Sequence, residues 1–389
     1  MLTAASRISK AVTFQAVEIT KQAQALREQG HDIISLGIGE PDFTAPPIVV
    51  KTMAQAAEAG LSGYSPALGL TPLRMEIAEY YNKNFGTHIS YDQVIVTTGG
   101  SGALSLACLS LLNPGDEVLM PDPYYPANFN FILCAGATTR LITSSPEENF
   151  QLSADKIAAH WGEHTRGILI ASPSNPTGTS IPAEELQKIL AFVKSKNGFV
   201  ILDEIYLGLH YEGDVQSGLV YDKDIIVINS FSKFFNMTGW RLGWIIAPKY
   251  FVPHIEKLTS SLNICAPTLA QHAAIACFSD EAMALYEQRK QAFKERRDYL
   301  LKELPRLNLP VPVKPDGAFY IYIDVTHYSN DSVAFCQLLL KEVGIAMTPG
   351  VDFGPAWAHK MARISYATAM DRLVEAIARL EKFLPTLRT

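Results

Sequence analysis

Six short, nearly unbroken runs of Val, Ile and Leu punctuate the first two thirds of the chain. They are QVIVTTGG (93–100), EVLMPDP (117–123), GILIASP (167–173), FVILDE (199–204), DIIVINS (224–230) and LGWIIAP (242–248). Apolar runs of this length read as strands buried on both faces, as in parallel sheets. Helix-like segments alternate with them from about Pro46 to Pro253. The alternation predicts an α/β architecture, a mostly parallel sheet flanked by helices. Upstream, Phe14–Gln29 predicts a helix capped by Gly30, and IISLGIGEPDF (33–43) a short strand entering a Gly/Pro-rich loop.

The strand signal fades around Leu258–Gln288. Beyond it, Tyr286–Leu304 predicts a long charged helix closed by Pro305. GAFYIYIDV and MARISYA then read as strands, SVAFCQLLLKEVG and Arg372–Phe383 as helices. This predicts a second, smaller α+β domain. The expected division is an N-terminal arm with part of the small domain (1–45), a large domain (46–290) and a small C-terminal domain (291–389).

The composition narrows the partners. Among 389 residues, 48% are hydrophobic and the net charge is -6, with no basic tract. A mildly acidic chain is a poor partner for nucleic-acid phosphates. Five scattered cysteines without a C-x-x-C support neither a zinc ribbon nor a redox motif, and fit a cytoplasmic protein. The polar N-terminus lacks a signal-peptide core, and Ala103–Leu112 is too short to cross a membrane. The sequons at Asn236 and Asn330 therefore carry little weight. His160 and His164 lie four apart with no third ligand, so no metal is expected.

In open parallel sheets, ligands bind beyond the carboxyl ends of the strands. Five consecutive strand ends here carry polar or glycine-rich groups: Gly99-Gly100-Ser101-Gly102, Asp122 to Pro126, Ser174 to Gly178, Asp203 to Tyr206, and Ser230 to Lys233. The glycine turn opening a helix suits an anion, although it also serves as a plain strand-to-helix turn. Asp203 ends an apolar strand, where a carboxylate needs a partner; otherwise it is a helix cap. Lys233 sits among Phe231, Phe234 and Phe235, where desolvation lowers an amine's pKa and permits Schiff-base chemistry; otherwise its stem covers apolar neighbours. Arg241 can grip an anion with two N–H groups. A phosphate cradle, a reactive lysine and an acid for a cationic ring nitrogen together describe pyridoxal 5′-phosphate (PLP).

SFSKFFNMTGWRLGW (230–244) matches the S-x-S-K-x-x-x-x-x-G-x-R-x-G pattern of class I/II PLP-dependent aminotransferases, PLP fold type I. GIGEPDF (37–43), GYSPALGLTPLR (63–74), PDPYYP (121–126), SPSNPTGT (172–179), DEIY (203–206), PDGAFY (315–320) and ARISYA (362–367) also resemble that family's motifs, in order along the chain. The resemblance implies an enzyme that moves an amino group between an L-amino acid and a 2-oxo acid. It implies that Lys233 holds PLP as a Schiff base and later moves the proton at the substrate Cα. Asp203 pairs with the ring nitrogen, Asn175 and Tyr206 hydrogen-bond the ring oxygen, and Tyr125 stacks on the ring. Gly100, Ser101, Ser230 and Arg241 cradle the phosphate, with Ser232 as a further contact. Gly102 serves close packing of the turn. Arg363 grips the substrate α-carboxylate, with Asn175 and Gly39 at the same carboxylate. Tyr64 reaches the phosphate of a neighbouring subunit, so a homodimer is implied. Trp240 and Phe319 are wall or core.

Two other readings compete. One is a C–S β-lyase or another PLP reaction on the same scaffold; the other is a binding module of aminotransferase descent. The segment Thr259–Gln271, near the pocket by family analogy, has no Lys or Arg. This favours neutral or aromatic substrates, against which Arg7 and Lys10 in the N-terminal arm could be set.

Overall fold

The computed structural model describes residues 2–387. Its strands are β1 (Ile34–Ser35), β2 (Val94–Thr97), β3 (Glu117–Asp122), β4 (Thr138–Thr143), β5 (Thr165–Ala171), β6 (Phe199–Asp203), β7 (Ile226–Ser230), β8 (Gly243–Ile246), β9 (Tyr320–Asp324), β10 (Ile345–Ala346), β11 (Thr348–Pro349) and β12 (Met361–Ser365). All six apolar runs become strands of one seven-stranded sheet, ordered β2-β8-β7-β6-β5-β3-β4. β8 runs antiparallel to β2 and β7, and the other pairs are parallel.

Strand alternation splits the core into two layers. Ile168, Ile170, Val200, Leu202 and Val227 pack on one face, and Leu169, Ile201, Ile226 and Ile228 on the other. Each fully buried aliphatic side chain is worth about 1.5–3 kcal/mol, so burial on both faces holds the strand ends in place. The strand of this sheet missing from the sequence reading is β4; the two-residue β10 and β11 have no counterpart there either. At the sheet edge, TTRLIT alternates exposed positions with half-buried ones and the buried Ile142, and carries no continuous apolar run.

A three-stranded antiparallel sheet, β11-β12-β9, joins residues from the last third of the chain. β1 pairs in parallel with β10, Ile34 opposite Ile345, which brings the two ends of the chain together. The first helix spans Gln15–Glu28, followed by Gly30 at φ 90°. The long charged helix runs Asp280–Arg306, earlier and longer than expected. Ser279 caps its start by accepting from the Ala282 N–H. Pro305 lies inside the last turn and does not close it. Among the described residues, no helix is long and apolar enough to cross a membrane.

Candidate active site

A cavity of about 950 Å³ opens where β5, β6 and β7 end, at Ala171, Asp203 and Ser230. Its floor is the sheet edge and the loops that follow. Its roof comes from the chain ends: Gly37–Glu40, the helix Gln15–Glu28, Thr348, Asp352, Phe353 and Arg363.

Lys233 lies three residues past β7, and its amine donates to the Gly39 carbonyl at 2.5 Å. The amine stands 5.9 Å from the Tyr206 ring centre and 5.8 Å from that of Phe319. Phe319 is fully buried and belongs to the core. Burial, helped by the Arg363 charge, brings the amine's pKa down to about 8, against the pull of Glu40 and Asp203. Neighbouring Phe231 and Phe235 turn into the core against Trp244, so the backbone is anchored while the amine faces the cavity.

Asp203 is buried and its Oδ1 accepts from the Ile205 N–H at 3.0 Å. Burial pushes its pKa up to about 6, while that N–H and the Lys233 charge oppose the shift. Tyr206 exchanges a 2.8 Å hydrogen bond with the hydroxyl of Tyr320. Tyr125 and Asn175 also line the cavity.

Gly99 begins the helix Gly99–Leu111 at φ 70°. The Arg241 guanidinium lies across it so closely that a Cβ on Gly99 would sit 2.6 Å from Nη2. Gly100, Ser101, Ser230 and Arg241 therefore converge at one end of the cavity, a helix N-terminus with an arginine and hydroxyls. Ser230 Oγ lies 2.9 Å from Ser232 Oγ and 3.1 Å from the Leu242 carbonyl. Gly102 is not the tight position: a Cβ there would meet Thr98 at an ordinary 3.4 Å. Gly243 is, since a Cβ would stand 2.6 Å from the Gly99 carbonyl carbon.

Arg363 lies on β12 and is only 6% exposed. Its hydrogen-bond partners are all neutral: Asn175 Oδ1 at 2.8 Å, the Gly37 carbonyl at 2.6 Å and Thr348 Oγ1 at 3.3 Å. Its Nε is buried without a partner. The guanidinium stacks 4.4 Å from the Tyr320 ring centre and 4.9 Å from that of Phe353. A buried cation so held is set to take an anion.

Gly39 lines the roof, and its lack of a Cβ matters, since one would fall 2.6 Å from the Tyr320 hydroxyl. Tyr64 does not join the cavity of its own chain and is 83% exposed. The segment Thr259–Gln271 contributes no lining residue either, nor do Arg7 and Lys10. Trp240 is half-buried. Sequence reasoning missed Tyr320, which touches both Tyr206 and Arg363, and Asp352, which accepts from the Gln15 and Ala16 N–H groups at 2.7 and 2.8 Å. Only an aromatic in a strand and an acid in a Gly-flanked loop marked them.

The family model described as aminotransferase class I and II matches residues 31–380. The chain is 38% identical over 367 residues to valine–pyruvate aminotransferase of Mycobacterium tuberculosis, covering 94% of each. It is 35% identical over 382 residues to aspartate aminotransferase of Thermotoga maritima, covering 97% of this chain and 98% of that one. An aminotransferase crystal structure from Mycobacterium tuberculosis superposes with a TM-score of 0.95 at 36% identity, covering 99% of this chain and 100% of that one. Thermus thermophilus aspartate aminotransferase with maleate gives 0.93 at 32% identity, covering 98% and 100%.

Proposed function

From the premise that the chain belongs to aminotransferase class I and II, and so moves amino groups between amino acids and 2-oxo acids with PLP, we propose that the cavity above is its active site. The observation that carries this is Arg363, a buried guanidinium with neutral partners and an unpartnered Nε, lining one cavity with Lys233 and Asp203.

The residues fit the cofactor. When bound, PLP supplies an aldehyde that takes up the amine and a cationic ring that draws electrons from the substrate Cα. Gly100, Ser101, Ser230 and Arg241 would hold its phosphate, Tyr125 would cover the ring face, and Asn175 and Tyr206 would hydrogen-bond its oxygen. Asp203 would keep the ring nitrogen protonated from a dry site where its charge acts strongly. Lys233, with a pKa near 8, is neutral often enough to attack a carbonyl carbon and then to move the proton at the substrate Cα. Arg363 and the Gly39 backbone would fix the α-carboxylate, so that the Cα–H faces that amine.

The finer reading is a donor with a neutral side chain. Phe14, Val17, Ile38 and Phe353 supply apolar wall. Lys21, the cavity lysine outside the catalytic group, is exposed beside Glu18 at 3.7 Å. We also propose a cytoplasmic homodimer, with Tyr64 completing the partner's phosphate site. The exposed Leu61, Tyr64, Leu262 and Ile264 supply apolar surface, and all five cysteines are free. Residues 46–290 would form the large domain and the two chain ends the smaller one, as the β1–β10 pairing favours.

Single-turnover spectra of the PLP-loaded enzyme with individual L-amino acids test the site. Valine or another neutral donor should convert the cofactor spectrum, and a 2-oxo acid should restore it. Aspartate as the best donor would overturn the substrate reading; full turnover by Lys233→Ala would overturn the site. Mixing Tyr64→Ala with Lys233→Ala subunits should restore activity, because one site in each mixed dimer is intact. No restoration would refute the role of Tyr64 across subunits.

A further inference from the structure

The sequon residue Asn236 is buried, 4% exposed, and holds a left-handed backbone at φ 52°, a conformation that glycine and asparagine adopt most readily. Its backbone N–H and its Nδ2 both donate to the Lys233 carbonyl, at 3.1 and 3.0 Å. Its Oδ1 accepts from Arg289 Nη1 at 2.8 Å. Arginine only donates and a carbonyl only accepts, so the amide is held in this orientation from both sides. The same Nη1 spends its second hydrogen on the Thr44 carbonyl, at 2.6 Å.

Arg289, Phe293 and Arg296 lie at i, i+4 and i+7 on the helix Asp280–Arg306, along one face. Phe43 rests on that face. The guanidinium carbons of Arg289 and Arg296 stand 5.2 and 5.1 Å from its ring centre, and Phe293 meets it edge-on at 5.4 Å. Arg296 also pairs with Asp42 at 2.7 Å. Residues 42–44 close the loop whose Gly39 carbonyl accepts from the Lys233 amine. One arginine outside the cavity thus holds both the turn that carries Lys233 and the end of the loop that carries Gly39. We propose that Arg289 is a positioning residue that ties the Lys233 turn to the roof loop, so that the amine and the Gly39 backbone keep a fixed separation. This rests on the reading that Lys233 moves the proton at the substrate Cα and that the Gly39 backbone helps hold the α-carboxylate.

The test is a double-mutant cycle on the PLP-loaded enzyme: Arg289→Met, Asn236→Gly and the two together, assayed with the fastest pair of L-amino acid and 2-oxo acid. Methionine keeps an unbranched stem and removes the donors. Glycine keeps the left-handed backbone and removes the amide. Arg289→Met should lower kcat and raise KM for the amino acid, each roughly five- to tenfold, the worth of about one hydrogen bond. Asn236→Gly should lower kcat alike and leave KM within about twofold. The double variant should lose no more kcat than Asn236→Gly and show the KM of Arg289→Met. Losses in kcat that multiply, or a kcat and KM both within about twofold of wild type in Arg289→Met, overturn the tie; a merely structural arginine would not divide the two constants in this way. Hydrogen exchange of the resting enzyme gives a readout without turnover. Arg289→Met should quicken exchange at both 37–44 and 231–237, and Asn236→Gly at 231–237 alone; quickening confined to one segment in Arg289→Met also overturns the tie. Lys233→Ala separates premise from inference. If it keeps full turnover, the reading of Lys233 fails and takes the tie with it. If it is inactive while Arg289→Met behaves as wild type, the tie alone fails.

Discussion

The floor and the roof of the cavity are built on different principles. Floor residues Asp203, Ser230 and Lys233 stand at or just past the ends of strands paired along their length and buried on both faces. Arg363 and Tyr320 sit on the five-residue β9–β12 ladder, but the rest of the roof hangs on the two-residue pairing of β1 with β10, the two-residue strand β11 and side-chain contacts: Asp352 under the helix Gln15–Glu28, and Phe353 against Arg363. Ladder bonds form and break together, whereas side-chain contacts break one at a time. The floor is therefore suited to electrostatic preorganisation, and the roof to gripping and releasing substrate. If so, floor substitutions should lower kcat and roof substitutions should chiefly raise KM.

The largest effect belongs to Lys233→Ala. On the proposed roles it removes both nucleophile and base, and kcat should fall at least about 10³-fold with loss of the visible absorbance of the bound cofactor. The amine has a pH signature as well. It attacks PLP only when unprotonated, and burial lowers its pKa to about 8 from an ordinary lysine's 10.5. Uptake of PLP by apoenzyme should therefore speed up with pH through about 8 and level off above it. A rate still climbing near pH 10 would mean an ordinary exposed lysine. Asp203→Asn comes next, with kcat down about 10²–10³-fold, the usual cost of removing one preorganised charge. An unchanged kcat with a raised KM would break the division between floor and roof.

On the roof, Arg363→Lys should raise KM roughly 10- to 100-fold, the worth of a charge-assisted hydrogen bond, since lysine cannot reproduce the planar fork. Tyr320→Phe should cost less, about 2- to 10-fold. It loses one hydroxyl bond to Tyr206 and keeps the ring under Arg363. Steady-state kinetics with a fixed 2-oxo acid measures both.

The same division decides what could be read beforehand. Floor residues follow continuous apolar runs, so Asp203, Ser230 and Lys233 stand out as polar groups where a strand buried on both faces must stop. β4 escaped because its edge position leaves TTRLIT half exposed. The long helix exceeds the expected Tyr286–Leu304 at both ends, because Ser279 caps it at Asp280 and Pro305 sits within a last turn that tolerates it. On the roof, Arg363 and Gly39 came only through family resemblance. Tyr320 was visible as a strand aromatic, but which of its neighbours it would touch depends on the pairing of β9 with β12, Tyr322 opposite Arg363. Asp352 lies in the short 3₁₀ turn Gly350–Phe353, and its partner is more than 300 residues away in sequence, a contact no local pattern encodes.

The smallest effect is expected from Asp352→Ala, which bears most directly on how the roof is held. The carboxylate caps the helix Gln15–Glu28 through two backbone N–H groups, and that helix presents Ala16, Val17 and Thr20 to the cavity. Losing such a cap typically costs about 1 kcal/mol. Part of that is offset here, because burial already raises the pKa of Asp352 and removing the group relieves its desolvation. The global melting temperature should move by only about 1–2 °C, since the floor and its core are untouched. The change should concentrate in the N-terminal helix: faster hydrogen exchange and faster proteolysis there, with KM raised about twofold to threefold and kcat preserved. Exchange that quickens equally in the sheet would show that this helix is welded to the floor, and the division between the two regions would have to be abandoned.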